Sequence, residues 1–337
     1  MIREAIDIVV SGHSLTREQA TEVMQEIMEG EATPAQLGAF LTALRLKGES
    51  TEEIAGMAAV MREKALRVNV EGPLLDVVGT GGDGKNTFNI STASAFVAAA
   101  CGARVAKHGN RAASSSCGAA DVLEALGVKV ELTPEGVAQC IEQAGMGFMF
   151  APAFHPSMRY AAPVRREIGI RTVFNILGPL TNPAHAQCML LGVAYEQLGG
   201  LMAQALRLLD IRHALVVHGA DGMDEISLSG PSTVWEVKGG EVSTWTIDLA
   251  DTGLASASTE DLRGGAAEEN AATMRRLFQG EGGPIRDAVL LNSAAALLAA
   301  DKAASLSEGI SLAAEAIDGG AALARVDALV EVSKGTN

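Results

Sequence analysis

Gly79-Thr80-Gly81-Gly82-Asp83-Gly84-Lys85 puts four glycines into six positions, directly after the apolar run LLDVV at 74–78. Glycines at this spacing let a backbone come close to an anion and turn its N–H groups toward it. A helical pattern opens just beyond, at Asn89, Ile90, Ser91 and Thr92. A helix N-terminus there adds free N–H groups and the positive end of the helix dipole, and Thr87, Ser91 and Thr92 add hydroxyls. The chemistry on offer is the capture of an anion. Two nucleotide-binding patterns overlap the loop and neither fits. The dinucleotide pattern G-x-G-x-x-G needs a carboxylate about 20 residues on to grip a ribose, where this chain has Arg104, Lys107 and His108. The P-loop pattern needs Ser or Thr after its lysine, where this chain has Asn86.

Three further constellations extend the theme. Lys107, His108, Asn110 and Arg111 follow the buried-strand pattern RVAKHG, with Ser114, Ser115 and Ser116 next and then a helical stretch. A basic surface turn would show the same composition, but ligands of open α/β sheets bind beyond the carboxyl ends of strands. Two such strand–loop–helix units suit a ligand with two anionic groups. Asp221, Asp224 and Glu225 form an acidic group; beside phosphates they call for Mg²⁺, a hard cation that bridges one or two carboxylates to phosphate oxygens, and Asp83 follows the same logic. Arg159, Arg165, Arg166 and Arg171 fall within 159–171. A guanidinium fork suits a carboxylate, while most of the four are expected to be helix-surface residues in salt bridges.

These residues need elements to position them. Residues 1 to about 68 carry three helix starts of one design: Thr16 with Gln19, Thr33 with Pro34 and Gln36, and Ser50 with Glu53. Each is a capping box, and Gly30 and Gly48 read as stops. The spacing predicts a small bundle of three or four helices, a type of unit that often supplies a subunit interface. From Leu74 the period changes. LLDVVG, RVAKHG, GFMF, CMLLGV and ALVVHG read as buried strands alternating with helices, which predicts an α/β domain with a largely parallel sheet. STVWEVKGGEVSTWT reads as a hairpin around Gly239-Gly240, and the last third is helical.

Composition sets the limits. The chain has 337 residues, 48% apolar and 20% charged, which suits two domains or one large domain with an appendage. Its formal net charge of −15 repels nucleic acid and anionic membranes at long range, so neither is expected as a partner, and an anionic ligand must be captured locally. Cys101, Cys117, Cys140 and Cys188 show neither C-x-x-C nor metal-like spacing, which suits reduced thiols in the cytoplasm. MIREAIDIVVSG carries charges within its apolar pattern and does not read as a signal peptide. No apolar run is long enough to span a bilayer.

Taken together, GTGGDGKNTFNIST, KHGNR, VRREIGIRTVFNILGPLTNP and DEIS, in that order, resemble the signatures of the anthranilate phosphoribosyltransferases, and the resemblance covers nearly the whole chain. It implies the class II nucleoside phosphorylase/phosphoribosyltransferase fold: a small all-helical domain at 1–70, joined by helices near 158–182, and a large α/β catalytic domain at 71–337 with a mostly parallel central sheet flanked by helices. It implies a homodimer formed through the helical domain. It also implies the reaction of anthranilate with phosphoribosyl diphosphate to give phosphoribosyl anthranilate and diphosphate, in tryptophan biosynthesis. Gly79, Gly82, Asp83, Thr87, Asn89, Ile90, Ser91 and Thr92 would surround phosphoribosyl diphosphate. Lys107, His108, Gly109, Asn110, Arg111, Ala112, Ala113, Ser114 and Ser115 would wrap its diphosphate and ribose. Two Mg²⁺ per subunit are implied, one on Ser91 and Glu225, the other on Asp224 and Glu225. Gly79, His108, Asn110 and Arg165 would face anthranilate, with Arg165 on its carboxylate, and His108, Asn110 and Arg165 would carry the catalytic roles.

One segment departs from the pattern. Where the family often has SSKSGSADVLEALG, this chain has SSSCGAADVLEALG, so Ser116, Cys117 and Ala119 replace a lysine and two serines. The expected effect is altered affinity for phosphoribosyl diphosphate, with the reaction kept. Cys117 is either a plain substitution or, beside a helix start, a thiol of lowered pKa. The chemistry implied is attack by the aromatic amine on the anomeric carbon, with inversion through an oxocarbenium-like transition state. The amine lone pair is free at neutral pH, so the demand is electrostatic and positional. His108 could take the amine proton after attack or simply line the pocket; spacing does not separate the two. A pyrimidine nucleoside phosphorylase of the same fold, or a non-catalytic nucleic-acid-binding paralogue, are the rival readings. The intact loop signatures, Arg165 and the acidic charge speak against them.

Overall fold

A computed structural model describes residues 1–112 and 116–336. The capping boxes start the helices that the sequence predicts. Thr16, Thr33 and Ser50 each accept the N–H three residues on, and Gln19, Gln36 and Glu53 return the bond. They open α2 (Arg17–Glu29), α3 (Pro34–Lys47) and α4 (Thr51–Glu63), after α1 (Ile2–Val10).

The chain then builds a seven-stranded sheet of order β3-β2-β1-β4-β5-β6-β7. Strands β1 (Leu75–Gly79), β2 (Val105–Gly109), β3 (Met146–Phe150), β4 (Cys188–Gly192) and β5 (His213–Gly219) are parallel. Strands β6 (Ser232–Lys238) and β7 (Glu241–Ile247) add an antiparallel hairpin, and Gly239 and Gly240 turn it at φ 60° and 82°. Two consecutive positive φ values make the tight turn that suits the strand twist.

Helices α5 (Ile90–Ala100), α6 (Ala119–Leu126) and α7 (Pro134–Ala144) connect β1 to β3. Short helices α8 (Ala151–Phe154), α9 (Ala162–Ile168) and α10 (Phe174–Leu177) lead to β4, and α11 (Glu196–Leu208) links β4 to β5. The chain closes with α12 (Ala267–Phe278), α13 (Pro284–Ala299), α14 (Leu306–Asp318) and α15 (Ala321–Gly335).

Side-chain alternation along the strands sorts the interior into two cores. On β4, Cys188 and Leu190 join a core with α5, α13 and α15, while Met189 and Leu191 join one with the N-terminal helices. This second core runs from Phe40, Met57 and Leu44 through Val164 and Phe174 to α11 and the sheet. The bundle therefore does not close its own core. It borrows one face of the sheet, and this is why the strands read as continuous apolar runs.

Strand order reverses at β1 and β4, which are neighbours although β2 and β3 come between them in sequence. Crevices outside the carboxyl ends of strands at such a switch point are where open α/β sheets bind ligands. The glycine loop leaves β1 at this point.

Candidate active site

Two cavities meet beyond the ends of β1 and β2. The first, of about 380 Å³, is walled by the glycine loop from Gly79 to Gly84, by Thr87 to Ser91, by Lys107 to Ala112, and by Asp224 and Glu225. The second, of about 400 Å³, is walled by Met61, Ala151, Pro152, His155, Met158, Arg165, Phe174 and Pro179. Gly79, Thr80, His108, Gly109, Asn110 and Asn175 belong to both walls. One cavity is polar, the other mostly apolar, and a molecule in each would touch the other at residues 79 and 108–110.

The acidic pair comes from the loop after β5. Asp224 Oδ2 accepts the Gly81 N–H at 2.7 Å, and Glu225 accepts the Ser91 N–H at the start of α5. Burial first, and the Asp83 charge second, push the Asp224 carboxyl up to about 7. Burial, with Asp224 beside it, raises Glu225 well above the usual carboxylate range. Lys107, 2% exposed, is the buried cation; it donates to the Val77 carbonyl and to Ser91 Oγ at 3.4 Å. Burial lowers its pKa, and Asp76 and Glu225 work against that. Asp76 lies beneath the site, fully buried, and accepts the His108 N–H at 3.1 Å and Asn182 Nδ2 at 2.7 Å. With the carboxyl groups of Asp83, Asp224 and Glu225 set against the cations Lys107 and Arg171 on its wall, the cavity needs further positive charge to hold a diphosphate. Its hard oxygen donors fit Mg²⁺, with the remaining positions going to water and phosphate oxygens. Among the described residues no group of three or more His, Cys, Asp or Glu side chains would cage a metal on protein ligands alone.

In the apolar cavity the Arg165 guanidinium lies 5.1 Å from the Phe174 ring centroid, and burial lowers its pKa. His108 and His155 are packed ring to ring, centroids 5.1 Å apart. Burial pushes His108 down to about 3 and His155 down to about 4. Each imidazole hydrogen-bonds the backbone, at Gly178 and Thr181 respectively, and each Nε2 has no partner among the described residues. The resting His108 is a neutral ring with a free acceptor.

Several expectations change. Asp221 does not join Asp224 and Glu225 at the polar cavity: its carboxylate accepts Ser227 Oγ at 2.7 Å, Ser229 Oγ at 2.8 Å and the Met223 N–H at 3.2 Å, and so ties its own loop together. Thr92 is 1% exposed and lines neither cavity, because it points about 100° further round α5 than Ser91, which lines the polar one. The Arg111 guanidinium is held by Asp121 and Glu124 of α6, so its contribution to the cavity is backbone. Asn89 spends its side chain on Cys117 O, 3.1 Å, and Asn270, 2.9 Å, tying the start of α5 to the loop at Cys117 and to α12. The arginines of 159–171 are not surface ion pairs either; among the described residues none makes a salt bridge. Arg159 donates to Tyr160 Oη and packs on that ring, Arg165 faces Phe174, and Arg171 reaches the glycine loop. Cys117 is a buried thiol whose pKa burial raises, so the low-pKa alternative falls. Ser116 Oγ donates to the Gly265 carbonyl, and Ala119 lines the polar cavity. Ala113, Ser114 and Ser115 lie outside the described residues.

Sequence reasoning missed Thr80, Asn175, His155 and Gly192. Gly192 is the most telling. It pairs with Gly79 across β1 and β4, and a Cβ on it would lie 1.6 Å from the Asp224 carbonyl oxygen. No local pattern marks that role, since it depends on Asp224, in a loop that comes after the whole of α11 and β5.

Comparison with known proteins shows the family. Residues 3–65 match the glycosyl transferase family helical bundle domain, and residues 71–323 match the glycosyl transferase family a/b domain. The anthranilate phosphoribosyltransferase of Dehalococcoides mccartyi is 60% identical over 336 residues, covering 99% of this chain and 98% of the relative. This chain belongs to the anthranilate phosphoribosyltransferase family. The crystal structure of the Thermus thermophilus anthranilate phosphoribosyltransferase superposes with a TM-score of 0.93 at 49% identity, covering 98% of this chain and 99% of that one. The Saccharomyces cerevisiae anthranilate phosphoribosyltransferase in complex with PRPP and Mg superposes at 0.91 with 28% identity, covering 99% and 98%. The helical domain plus α/β domain with a mostly parallel sheet is the architecture of an anthranilate phosphoribosyltransferase, and neither rival reading is favoured.

Proposed function

We propose that the polar cavity takes phosphoribosyl diphosphate and the apolar cavity takes anthranilate, and that the reaction occurs where they meet. The observation that carries this reading is the shared wall at Gly79, His108 and Asn110, which would bring an amine in one cavity to an anomeric carbon in the other. The enzyme is an anthranilate phosphoribosyltransferase of tryptophan biosynthesis. Its reaction displaces diphosphate from phosphoribosyl diphosphate by the anthranilate amine. Bound in the polar cavity, Mg²⁺ would supply charge neutralisation for the diphosphate. We assign Ser91 and Glu225 to one ion and Asp224 and Glu225 to a second.

The chain's own residues bind and orient. Lys107 holds a positive charge at the cavity floor. The Gly81–Gly84 backbone and the start of α5 supply N–H groups. Arg165 takes the anthranilate carboxylate, and Phe174 and Pro179 give its ring an apolar wall. Asn110 holds the amine toward the shared wall. His108, neutral in the resting site, presents an acceptor. Attack and departure in line need no strong base, because the aromatic amine carries its lone pair at neutral pH, and holding both reactants in register supplies most of the acceleration.

We further take residue 70 as the domain boundary, with 158–182 returning to the bundle. We place a homodimer contact on the bundle, where Val10 of α1 and Leu46 of α3 are 69% and 83% exposed. Among the described residues no helix is long and apolar enough to cross a membrane, and all four cysteines are free thiols. A cytoplasmic enzyme fits both.

The test is loss of anthranilate fluorescence in the presence of phosphoribosyl diphosphate and Mg²⁺. Emission should fall only with all three components present, and Arg165→Ala should raise the anthranilate KM by about tenfold to a hundredfold. Phosphate-dependent cleavage of a pyrimidine nucleoside, with no such loss, would overturn the reading.

A further inference from the structure

Arg171 is a cation that the reaction as described leaves unused. It lies six residues after Arg165, beyond the left-handed cap at Gly169, φ 68°, which ends α9. That turn sends the two guanidiniums to different cavities. Arg165 lines the apolar one and Arg171 the polar one. Arg171 Nη2 donates to the Gly81 carbonyl at 3.3 Å, and its guanidinium lies 5.7 Å from the Tyr195 ring centroid. It also presses on Gly82 so closely that a Cβ there would come within 1.7 Å of Nη1. Gly81 is held from the other side too, since its N–H goes to Asp224 Oδ2 at 2.7 Å. Among the described residues Arg171 makes no salt bridge, so none of their carboxylates pairs with it.

Gly81 and Gly82 sit at φ 65° and 79°, a conformation that free glycines leave easily. Something must hold this turn if its N–H groups are to meet a phosphate without reordering, and preorganisation of that kind is what binding energy depends on. Arg171 on the carbonyl side and Asp224 on the N–H side do so. We infer that Arg171 is a positioning residue for the phosphoribosyl diphosphate site, acting through Gly81 and Gly82 on the shape of the glycine loop and on the orientation of Asp224. The inference rests on the polar cavity being the phosphoribosyl diphosphate site. It gives Gly82 a second reason to be glycine, beyond its φ: the planar guanidinium occupies the space of its side chain. The stretch 165–175 thereby touches both cavities, with Arg165 in one, Arg171 in the other and Asn175 in both walls.

The experiment is calorimetric binding of phosphoribosyl diphosphate to the full chain, with and without Mg²⁺, alongside steady-state kinetics for both substrates. The variants are Arg171→Met, which keeps much of the apolar stem, and Arg171→Lys, which keeps a charge and a donor. The expected result for Arg171→Met is affinity for phosphoribosyl diphosphate weaker by about tenfold to a hundredfold, with and without Mg²⁺. The anthranilate KM should stay within about twofold, as expected for an interaction confined to the other cavity. Arg171→Lys should recover part of the loss. Equal loss in both KM values, or unchanged binding by Arg171→Met, overturns the inference. Should Arg171→Met not fold, Gly82→Ala in an otherwise intact chain tests the same contact, and unchanged binding there is equally fatal. Failure of the wild-type chain to bind phosphoribosyl diphosphate would overturn the site reading itself, a result distinct from any of these.

Discussion

Gly79 and Gly192 face each other in register across β1 and β4, and the space that their missing side chains leave is filled by Asp224. The Asp224 carboxylate lies where a Gly79 Cβ would stand, at 2.5 Å, and its backbone where a Gly192 Cβ would stand. The acidic loop can therefore lie directly over the strand ends, close enough for Asp224 to take the Gly81 N–H. The depth of the Asp224 carboxylate is set by two glycines about 110 residues apart.

Replacing Gly192 by Ala should therefore injure catalysis more than folding. The added methyl meets backbone, which cannot swing aside, so Asp224 must shift. A displacement of about 1 Å costs on the order of a hundredfold in rate. The kcat/KM for phosphoribosyl diphosphate should fall by that order, and a crystal structure of the variant should show residues 223–226 displaced. An unshifted loop with full activity would refute the argument.

Asp224 should cost the protein stability where it serves function. Its carboxyl is raised by burial and by Asp83 to about 7, against an ordinary value of 3.8. The native state then holds a proton that the unfolded chain has lost, and stability falls as pH rises from about 4 through 7. Asp224→Asn removes that dependence. We expect it to melt several degrees higher than wild type at pH 8 without Mg²⁺, and to lose about a hundredfold or more in activity. Calorimetry of the wild type near pH 7 should show proton release when Mg²⁺ binds together with phosphoribosyl diphosphate.

The histidine pair gives the opposite slope. Burial holds His108 at about 3 and His155 at about 4, below the 6.5 of a free imidazole. The unfolded chain therefore binds protons that the native state refuses, and stability drops as pH falls from 6.5 toward 4. His155→Phe should flatten this limb in thermal melts. For the same reason the kcat profile between pH 6 and 9 should contain no limb belonging to His108. A limb near 6.5 that His108→Gln abolishes would restore it as a proton carrier.

Glu53 anchors the bundle. Its side chain is fully buried, accepts the Leu15 N–H at 2.9 Å and the Ser50 N–H at 2.7 Å, and pairs with Lys47 at 2.8 Å. Glu53→Ala leaves a nearly buried ammonium and two backbone donors without their acceptor, a loss of about 3–5 kcal/mol. Urea unfolding should show this as a lower midpoint, and at 25 °C the folded variant should keep its KM values, because Glu53 touches neither cavity.

The elements and the kind of chemistry are legible along the chain because both rest on local patterns. Capping boxes at Thr16, Thr33 and Ser50 are local hydrogen-bond patterns, and the strands announce themselves because both faces of a parallel sheet are covered. Gly79, Lys107, Asn110 and Arg165 stand out in the sequence as candidates for binding anions, and Asp224 and Glu225 as candidates for bridging a cation to them, and the fold brings all six to the two cavities. The tertiary structure alone decided which charges remain available. Arg111 and Asp221 look as suitable as Lys107 and Asp224 in the sequence, yet α6 carboxylates hold the first and a ring of hydroxyls holds the second. Thr92 turns inward because a helix rotates each residue by about 100°. Arg171, Asn175, His155 and Gly192 acquire meaning only when the switch point between β1 and β4 brings distant segments to one place. A charge's partner and a glycine's neighbour are properties of space, and the spacing along a chain records them only where the chain itself is local.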